Sequence, residues 1–225
     1  MRYTIKDMPP QLPSALVEKL QRVETATVGH KRQLGFVDRG IQCLLGGHRR
    51  IAGTAVTLAL PGQDSTLLHH VIQFLRPGDV LVIDRLGDTK HACLGGGVAV
   101  AIKATGCAGV ILDGPATDLP EIELYDLPVW SRGLAPITTR LYDVGGAFNV
   151  DVCCGGAVVH PGDAIVADFS GVLVMPPDEA EADADWALGK QAAEPASHEA
   201  IKAGAKLGER TGASKMVEAD QKAST

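Results

Sequence analysis

Residues 76–118 read RPGDVLVIDRLGDTKHACLGGGVAVAIKATGCAGVILDGPATD, and they set the architecture of the chain. Two short apolar runs, 79–84 (DVLVID) and 108–113 (AGVILD), each close on an aspartate. Between them, 97–105 has helical length and composition and is opened by Gly95-Gly96-Gly97. Strands without polar alternation, with a helix between them, predict an α/β domain whose sheet is covered on both faces. Pro77-Gly78-Asp79 supplies the entry turn of the first strand.

The same punctuation continues on either side. Residues 51–60, 157–159, 163–168 and 171–175 read as further strands, and 14–23, 65–75 and 119–126 as helices. An Ala/Glu/Lys-rich stretch, 178–209, reads as a helical arm lying on a surface. The expectation is an α/β protein, with residues 1–176 forming one domain behind an N-terminal helix and 177–225 a C-terminal helical arm and tail. Residues 160–171 (HPGDAIVADFSG) echo 76–87 (RPGDVLVIDRLG), which predicts two similar strands in one sheet, since turn chemistry alone generates the match.

Composition narrows the function. At 225 residues the chain can bury a self-sufficient core, and no apolar stretch approaches the roughly 18 residues of a membrane span. A net charge of −6 repels a phosphate backbone, and 4% aromatic residues leave little for base stacking, so neither nucleic acid nor a membrane is an expected partner. The start, MRYTIKDMPPQLP, lacks a signal-peptide core, and five cysteines cannot all pair internally, so a cytoplasmic protein with reduced thiols is expected.

The chemical content is concentrated after the two strands. A glycine triplet at a helix N-terminus lets backbone N–H groups converge on a carboxylate or phosphate, although close helix-to-sheet packing accounts for it equally well. The spacing is not the dinucleotide pattern Gly-x-Gly-x-x-Gly. Asp118, with Glu121 three residues on, matches a capping box for helix 119–126; it also stands where α/β folds hold ligands, beyond a strand's C-terminal end. The loop 84–91 (DRLGDTKH) is dense in charge. Arg85 is the preferred anion binder there because it follows the strand end, with Lys90 and His91 behind it and Arg132 as second choice. His69 and His70 read as structural, one facing the sheet and the other solvent. Neither Cys-x-x-Cys nor His-Glu-x-x-His occurs, so zinc has no support. Adjacent Cys153 and Cys154 do not suit a relaxed disulfide, and Cys93 reads as a small buried thiol rather than a nucleophile.

Ala52-Gly53-Thr54-Ala55-Val56-Thr57, Pro77 to Asp84, Gly95 to Gly97, Asp113-Gly114 with Asp118, Pro128 to Gly133, Cys154-Gly155-Gly156, Pro161-Gly162-Asp163 and Ser170-Gly171-Val172 stand in an order that resembles the RraA-like family. This family includes regulators of ribonuclease E activity and class II 4-hydroxy-4-methyl-2-oxoglutarate aldolases. The resemblance implies a swivelling β/β/α domain, a homotrimer or dimer of trimers with sites between subunits, and Mg²⁺ or Mn²⁺ holding a small 2-oxo acid. Residue by residue it implies that Asp118 binds the metal, that Gly95, Gly96 and Gly97 approach the substrate carboxylate, and that Glu194 reaches the metal's waters from a neighbouring subunit.

The chain also departs from the aldolase pattern, which has Asp in the glycine turn, twenty residues, then Arg-Asp. Here those positions are Gly96, Thr117 and Asp118, and a threonine hydroxyl in the substrate site lacks the guanidinium's permanent charge. Arg85, Lys90 and His91, with His30 and Lys31, are the candidates to replace it; His30 itself stands where the family commonly has Asp. The expected function is a divalent-metal-dependent lyase, aldolase or decarboxylase in type, acting through a pyruvate-like enolate. The alternatives are a non-catalytic RraA-like regulator binding a protein partner, or an enzyme of phosphorylated sugar acids.

Overall fold

A computed structural model describes residues 1–46 and 49–223. Its strands are β1 (Tyr3–Ile5), β2 (Gln42–Cys43), β3 (Ile51–Ala59), β4 (Asp79–Asp84), β5 (Gly109–Asp113), β6 (Val129–Ser131), β7 (Gly146–Phe148), β8 (Val152–Cys154), β9 (Ala157–Val159), β10 (Ala164–Asp168) and β11 (Gly171–Met175). The helices are α1 (Ser14–Leu20), α2 (Thr25–Val28), α3 (Thr66–Val71), α4 (Gly96–Ala104), α5 (Leu119–Leu124), α6 (Pro177–Lys202), α7 (Leu207–Thr211) and α8 (Ala213–Ala223). A 3-10 turn, Ile72–Phe74, extends α3.

Strands β3, β4, β5 and β6 run parallel, in that order, with Leu81 opposite Val56 on one side and Val110 on the other. Strands β4 and β5 and the helix α4 between them are those predicted from residues 76–118. Strand β7 pairs antiparallel with the end of β3 and parallel with β1, β2 closes the far edge on β6, and β10 pairs antiparallel with β3 and β11.

The unbroken apolar run of β4 has a direct cause: alternate side chains enter different cores. Leu81 and Ile83, with Val110 and Leu112 of β5, pack under α3, α4 and α5 against Leu68, Val71, Ala99, Ile102 and Ile122. Val80, Val82 and Ile111 face the other way, onto Val152, Cys154, Ala157 and Val159 of the β8–β9 hairpin. Each fully buried aliphatic side chain contributes about 1.5–3 kcal/mol, so burial on both faces holds β4 in place.

A third core joins α1, α2 and α6 to β10 and β11 through Leu20, Val28, Val166, Leu173, Ala180, Ala184 and Ala187. The first turns of the C-terminal helix therefore complete the core. The stretch expected as one helix over 178–209 instead ends at Lys202, and α7 and α8 follow with no buried residue. Residues 224–225 of the expected tail lie outside the described residues. No described helix is long and apolar enough to cross a membrane.

The sequence echo is a structural repeat of turn and strand. Asp79 Oδ2 accepts the Arg76 N–H at 2.8 Å and Asp163 Oδ2 accepts the His160 N–H at 2.8 Å. The strands that follow, β4 and β10, both pair with β3.

Candidate functional site

Beyond the C-terminal ends of β4, β5 and β6, the three connecting loops zip together. Isolated bridges join Leu94 to Ala116, Ala116 to Leu134 and Ala92 to Thr138. Thr117 N–H donates to the Leu94 carbonyl at 2.9 Å, and Ala92 N–H to that of Ile137 at 2.8 Å. These bonds tie the loops to one another in the manner of strand pairing, several backbone donors of one loop being satisfied by carbonyls of the next. The loops and the facing sides of α3 and α4 enclose a cleft of about 790 Å³, lined in part by His69, Cys93, Gly95, Thr117, Asp118 and Arg140. That volume lies within the range of small-molecule sites.

Asp118 occupies the left-handed region, with φ 53°. An N-cap needs an extended backbone to turn its side chain onto its own helix, so the predicted capping box does not form. The backbone carbonyl of Asp118 accepts the Glu121 N–H at 2.9 Å, while its carboxylate crosses to α4, where Oδ2 accepts the Gly96 N–H at 3.1 Å. The Thr117 hydroxyl lies 3.3 Å from Oδ1.

The glycine turn is explained by what it makes room for. A β-carbon on Gly96 would lie 1.4 Å from Glu121 Oε2, and one on Gly95 would lie 2.6 Å from Asp118 Oδ2. Two carboxylates thus fill the space that side chains at 95 and 96 would take. Glu121 stands where the missing family Asp would project. With Gly96 N–H given to Asp118, the N–H groups of Gly97 and Val98, which line the cleft, have no partner among the described residues.

The cations expected from the sequence are not brought to this cleft. Arg85 is fully buried. Its Nη2 donates to the Gly62 carbonyl and, at 3.4 Å, to that of His91, while Nε and Nη1 have no partner among the described residues. His91 bonds Asp88 Oδ2 through Nδ1 at 2.8 Å, and Lys90 is exposed outside the cleft. Burial alone would raise the Asp88 carboxyl, but hydrogen bonds from the His91 N–H, the His91 ring and the Lys90 N–H outweigh it and bring its pKa down to about 2. The charge density of this loop is therefore spent on its own turns. Arg132 is held between Asp113 and Asp38, Lys31 donates to Asp183 at 2.8 Å, and exposed His30 lies away from the cleft. Glu194 lies on α6 and does not line the cleft of its own chain. Cys93 does line it, but burial pushes the thiol up to about 11, which leaves it protonated and a poor nucleophile.

Two residues that line the cleft, Arg140 and His69, are not among the site candidates that the sequence offers. Leu67, Leu68 and Val71 are the buried positions of α3, so both histidines point outward, and the expectation that one faces the sheet is corrected. His69 opens on the cleft; His70 packs edge-on against Phe74, with ring centroids 5.4 Å apart. The helical spacing of Leu67, Leu68 and Val71 was the available signal. No local signal marked Arg140.

The family model for RraA-like proteins, Aldolase/RraA, matches residues 20–174. A Halalkalibacterium halodurans protein named "Putative 4-hydroxy-4-methyl-2-oxoglutarate aldolase" is 33% identical over 152 residues, covering 68% of this chain and 72% of its own length. The crystal structure of Streptomyces coelicolor RraAS2, described as an unusual member of the RNase ES inhibitor RraA protein family, superposes with a TM-score of 0.75 at 30% identity. It covers 86% of this chain and 98% of its own. The RNA-processing inhibitor RraA of Thermus gives a TM-score of 0.58 at 28% identity, over 63% of this chain and 84% of its own. The chain belongs to the RraA-like family, and its mixed α/β architecture is the one expected.

Among the described residues, no group of three or more His, Cys, Asp or Glu side chains is placed to hold a metal ion. A largely hydrated Mg²⁺ or Mn²⁺ needs less, one or two hard oxygens with lone pairs to spare. Asp118 fits that requirement, since its exposed carboxylate accepts one backbone N–H and has one hydroxyl nearby.

Proposed function

We propose that this protein is a divalent-metal-dependent carbon–carbon lyase, aldolase or decarboxylase in type, acting on a small 2-oxo acid. The observation that carries this reading is the placement of Asp118: its carboxylate and the amides of Gly97 and Val98, which have no partner among the described residues, belong to the lining of one cleft beyond the parallel strand ends. Family membership and the name of the Halalkalibacterium relative support it.

Asp118 would hold Mg²⁺ or Mn²⁺, with the Thr117 hydroxyl beside it. Bound there, the cation supplies Lewis-acid stabilisation of the enolate charge that develops when a bond to the 2-oxo fragment breaks. The Gly97 and Val98 N–H groups bind the substrate carboxylate, aided by the positive end of the α4 dipole. Val98 and Ala101 give the cleft an apolar side that limits water. We propose further that the chain forms a homotrimer or dimer of trimers in which Glu194 of a neighbour approaches Asp118; exposed Leu134, Ile137 and Leu141 on a cleft-forming loop support burial against another copy.

Oxaloacetate and 4-hydroxy-4-methyl-2-oxoglutarate assayed with Mg²⁺ or Mn²⁺ test the reading. Turnover is expected to vanish on chelation, return with metal, and fall at least about 100-fold in Asp118→Ala, which loses the bond to the Gly96 N–H and melts somewhat lower but remains folded at the assay temperature. Undiminished turnover after chelation and in Asp118→Ala overturns it. Absence of metal binding and turnover, with specific capture of a protein partner, favours the regulator.

A further inference from the structure

We infer that Arg140 is the specificity-determining cation of this cleft and receives the second carboxylate of a dicarboxylic 2-oxo acid. The inference rests on the lyase reading for the 2-oxo end of the ligand, but not for the end that Arg140 would hold.

A site that takes an organic acid needs a fixed cation or a set of donors, and three of the arginines near the strand ends can be compared directly. Arg85 is sealed beneath the loops and bonded to carbonyl groups. Arg132 is neutralised by Asp113 and Asp38. Arg140 alone of these three lines the cleft, and its guanidinium has no hydrogen bond or ion pair with any described residue.

Its backbone, by contrast, is fixed. Arg140 N–H donates to the Gln63 carbonyl at 2.9 Å, and the Arg140 carbonyl accepts the Ser65 N–H at 2.9 Å. His69 follows one helical turn after Ser65, its N–H on the Ser65 carbonyl at 3.0 Å, so His69 and Arg140 approach the cleft from one anchoring point. Asp64 fastens the next part of the loop, accepting the Tyr142 N–H at 3.0 Å and the Val144 N–H at 2.8 Å.

A guanidinium presented from a pinned backbone, with its donors unspent, forms a planar fork that matches a carboxylate. Asp118 and the α4 amides occupy another part of the same cleft, so a ligand with two acidic ends uses both. Thr117, where the family pattern has Arg, then needs no charge of its own, because the cation comes from the loop after β6.

Calorimetric titration of the full chain tests this with three probes: succinate without metal, 2-oxoglutarate with Mg²⁺, and pyruvate with Mg²⁺. Arg140→Met is expected to weaken succinate and 2-oxoglutarate about 10- to 100-fold but pyruvate less than about three-fold, and Arg140→Lys to recover part of the loss. Because the side chain is exposed, both variants should keep the parental melting temperature. Equal affinity of Arg140→Met and the parent for 2-oxoglutarate overturns the inference, as does equal loss for pyruvate and 2-oxoglutarate, or failure of the parent to bind either dicarboxylate. Succinate binding that depends on Arg140 but survives chelation and Asp118→Ala supports Arg140 even if no 2-oxo acid is turned over, which separates its fate from that of the lyase reading.

Discussion

The carboxylate of Asp118 caps a helix other than its own: it begins α5 in sequence, yet bonds the Gly96 N–H of α4 at 3.1 Å. The left-handed backbone at Asp118 makes this crossing possible, and the absent β-carbons at 95 and 96 make room for it. One residue thereby ties the ends of two helices together at the mouth of the cleft.

Gly96 and Glu121 should behave as a coupled pair. Gly96→Ala forces the Glu121 side chain out of its place, with an expected destabilisation of about 1–3 kcal/mol. In the Gly96→Ala/Glu121→Ala double variant most of that cost should disappear, giving a coupling above about 0.5 kcal/mol in urea melts. Additive effects would show that the two do not compete for space.

Asp64 should be a principal anchor of the loop that carries Arg140. Burial would raise its carboxyl, but hydrogen bonds from the Thr66 hydroxyl and from the Tyr142, Thr66 and Val144 N–H groups hold it well below the usual carboxylate range. Asp64→Asn places an NH₂ against at least one of these donors. It should cost about 2–3 kcal/mol in denaturant melts and weaken succinate binding alongside stability. Parental stability would contradict this assignment.

Acid should destabilise the protein through the same carboxylates. Asp64 and Asp88 have folded-state values below the ordinary carboxylate value, so their contribution is complete above that value and is lost as pH falls through the folded ones, about 2 for Asp88. Urea midpoints are expected to hold steady down to about pH 5 and to decline between about pH 4 and 2. Asp88→Asn should make the decline shallower; an unchanged profile would remove Asp88 from the account.

Leu81 tests the two-faced sheet. It is fully buried beneath α3, α4 and α5, and Leu81→Ala should cost about 2–5 kcal/mol in chemical denaturation. A loss below about 1 kcal/mol would mean that the core collapses around the site.

The strands and helix of the central βαβ unit were legible because their signals are local. Val80 to Ile83 are apolar without alternation, and Pro77-Gly78 marks where the strand begins. Strands β1, β2, β6, β7 and β8 were not legible: each spans three residues or fewer and exists through partners distant in sequence, as Tyr3 pairs with Gly146. The site divides in the same way. Asp118 is visible as a carboxylate after a buried strand, whereas the direction of its side chain depends on a backbone angle that sequence does not print. Arg85 looks like a site residue because it follows Asp84, yet its side chain passes under the loops. Arg140 looks like an ordinary loop residue, and its significance comes from bonds to Gln63 and Ser65, in a different part of the chain.

Manganese titration followed by electron paramagnetic resonance, in the parent and in Asp118→Ala, addresses the central claim most directly. The account predicts that the parent binds Mn²⁺, that oxalate perturbs the bound-ion spectrum, and that Asp118→Ala loses both effects while remaining folded. Bound Mn²⁺ with the same spectrum and oxalate response in Asp118→Ala, or no Mn²⁺ bound by the parent, would contradict it.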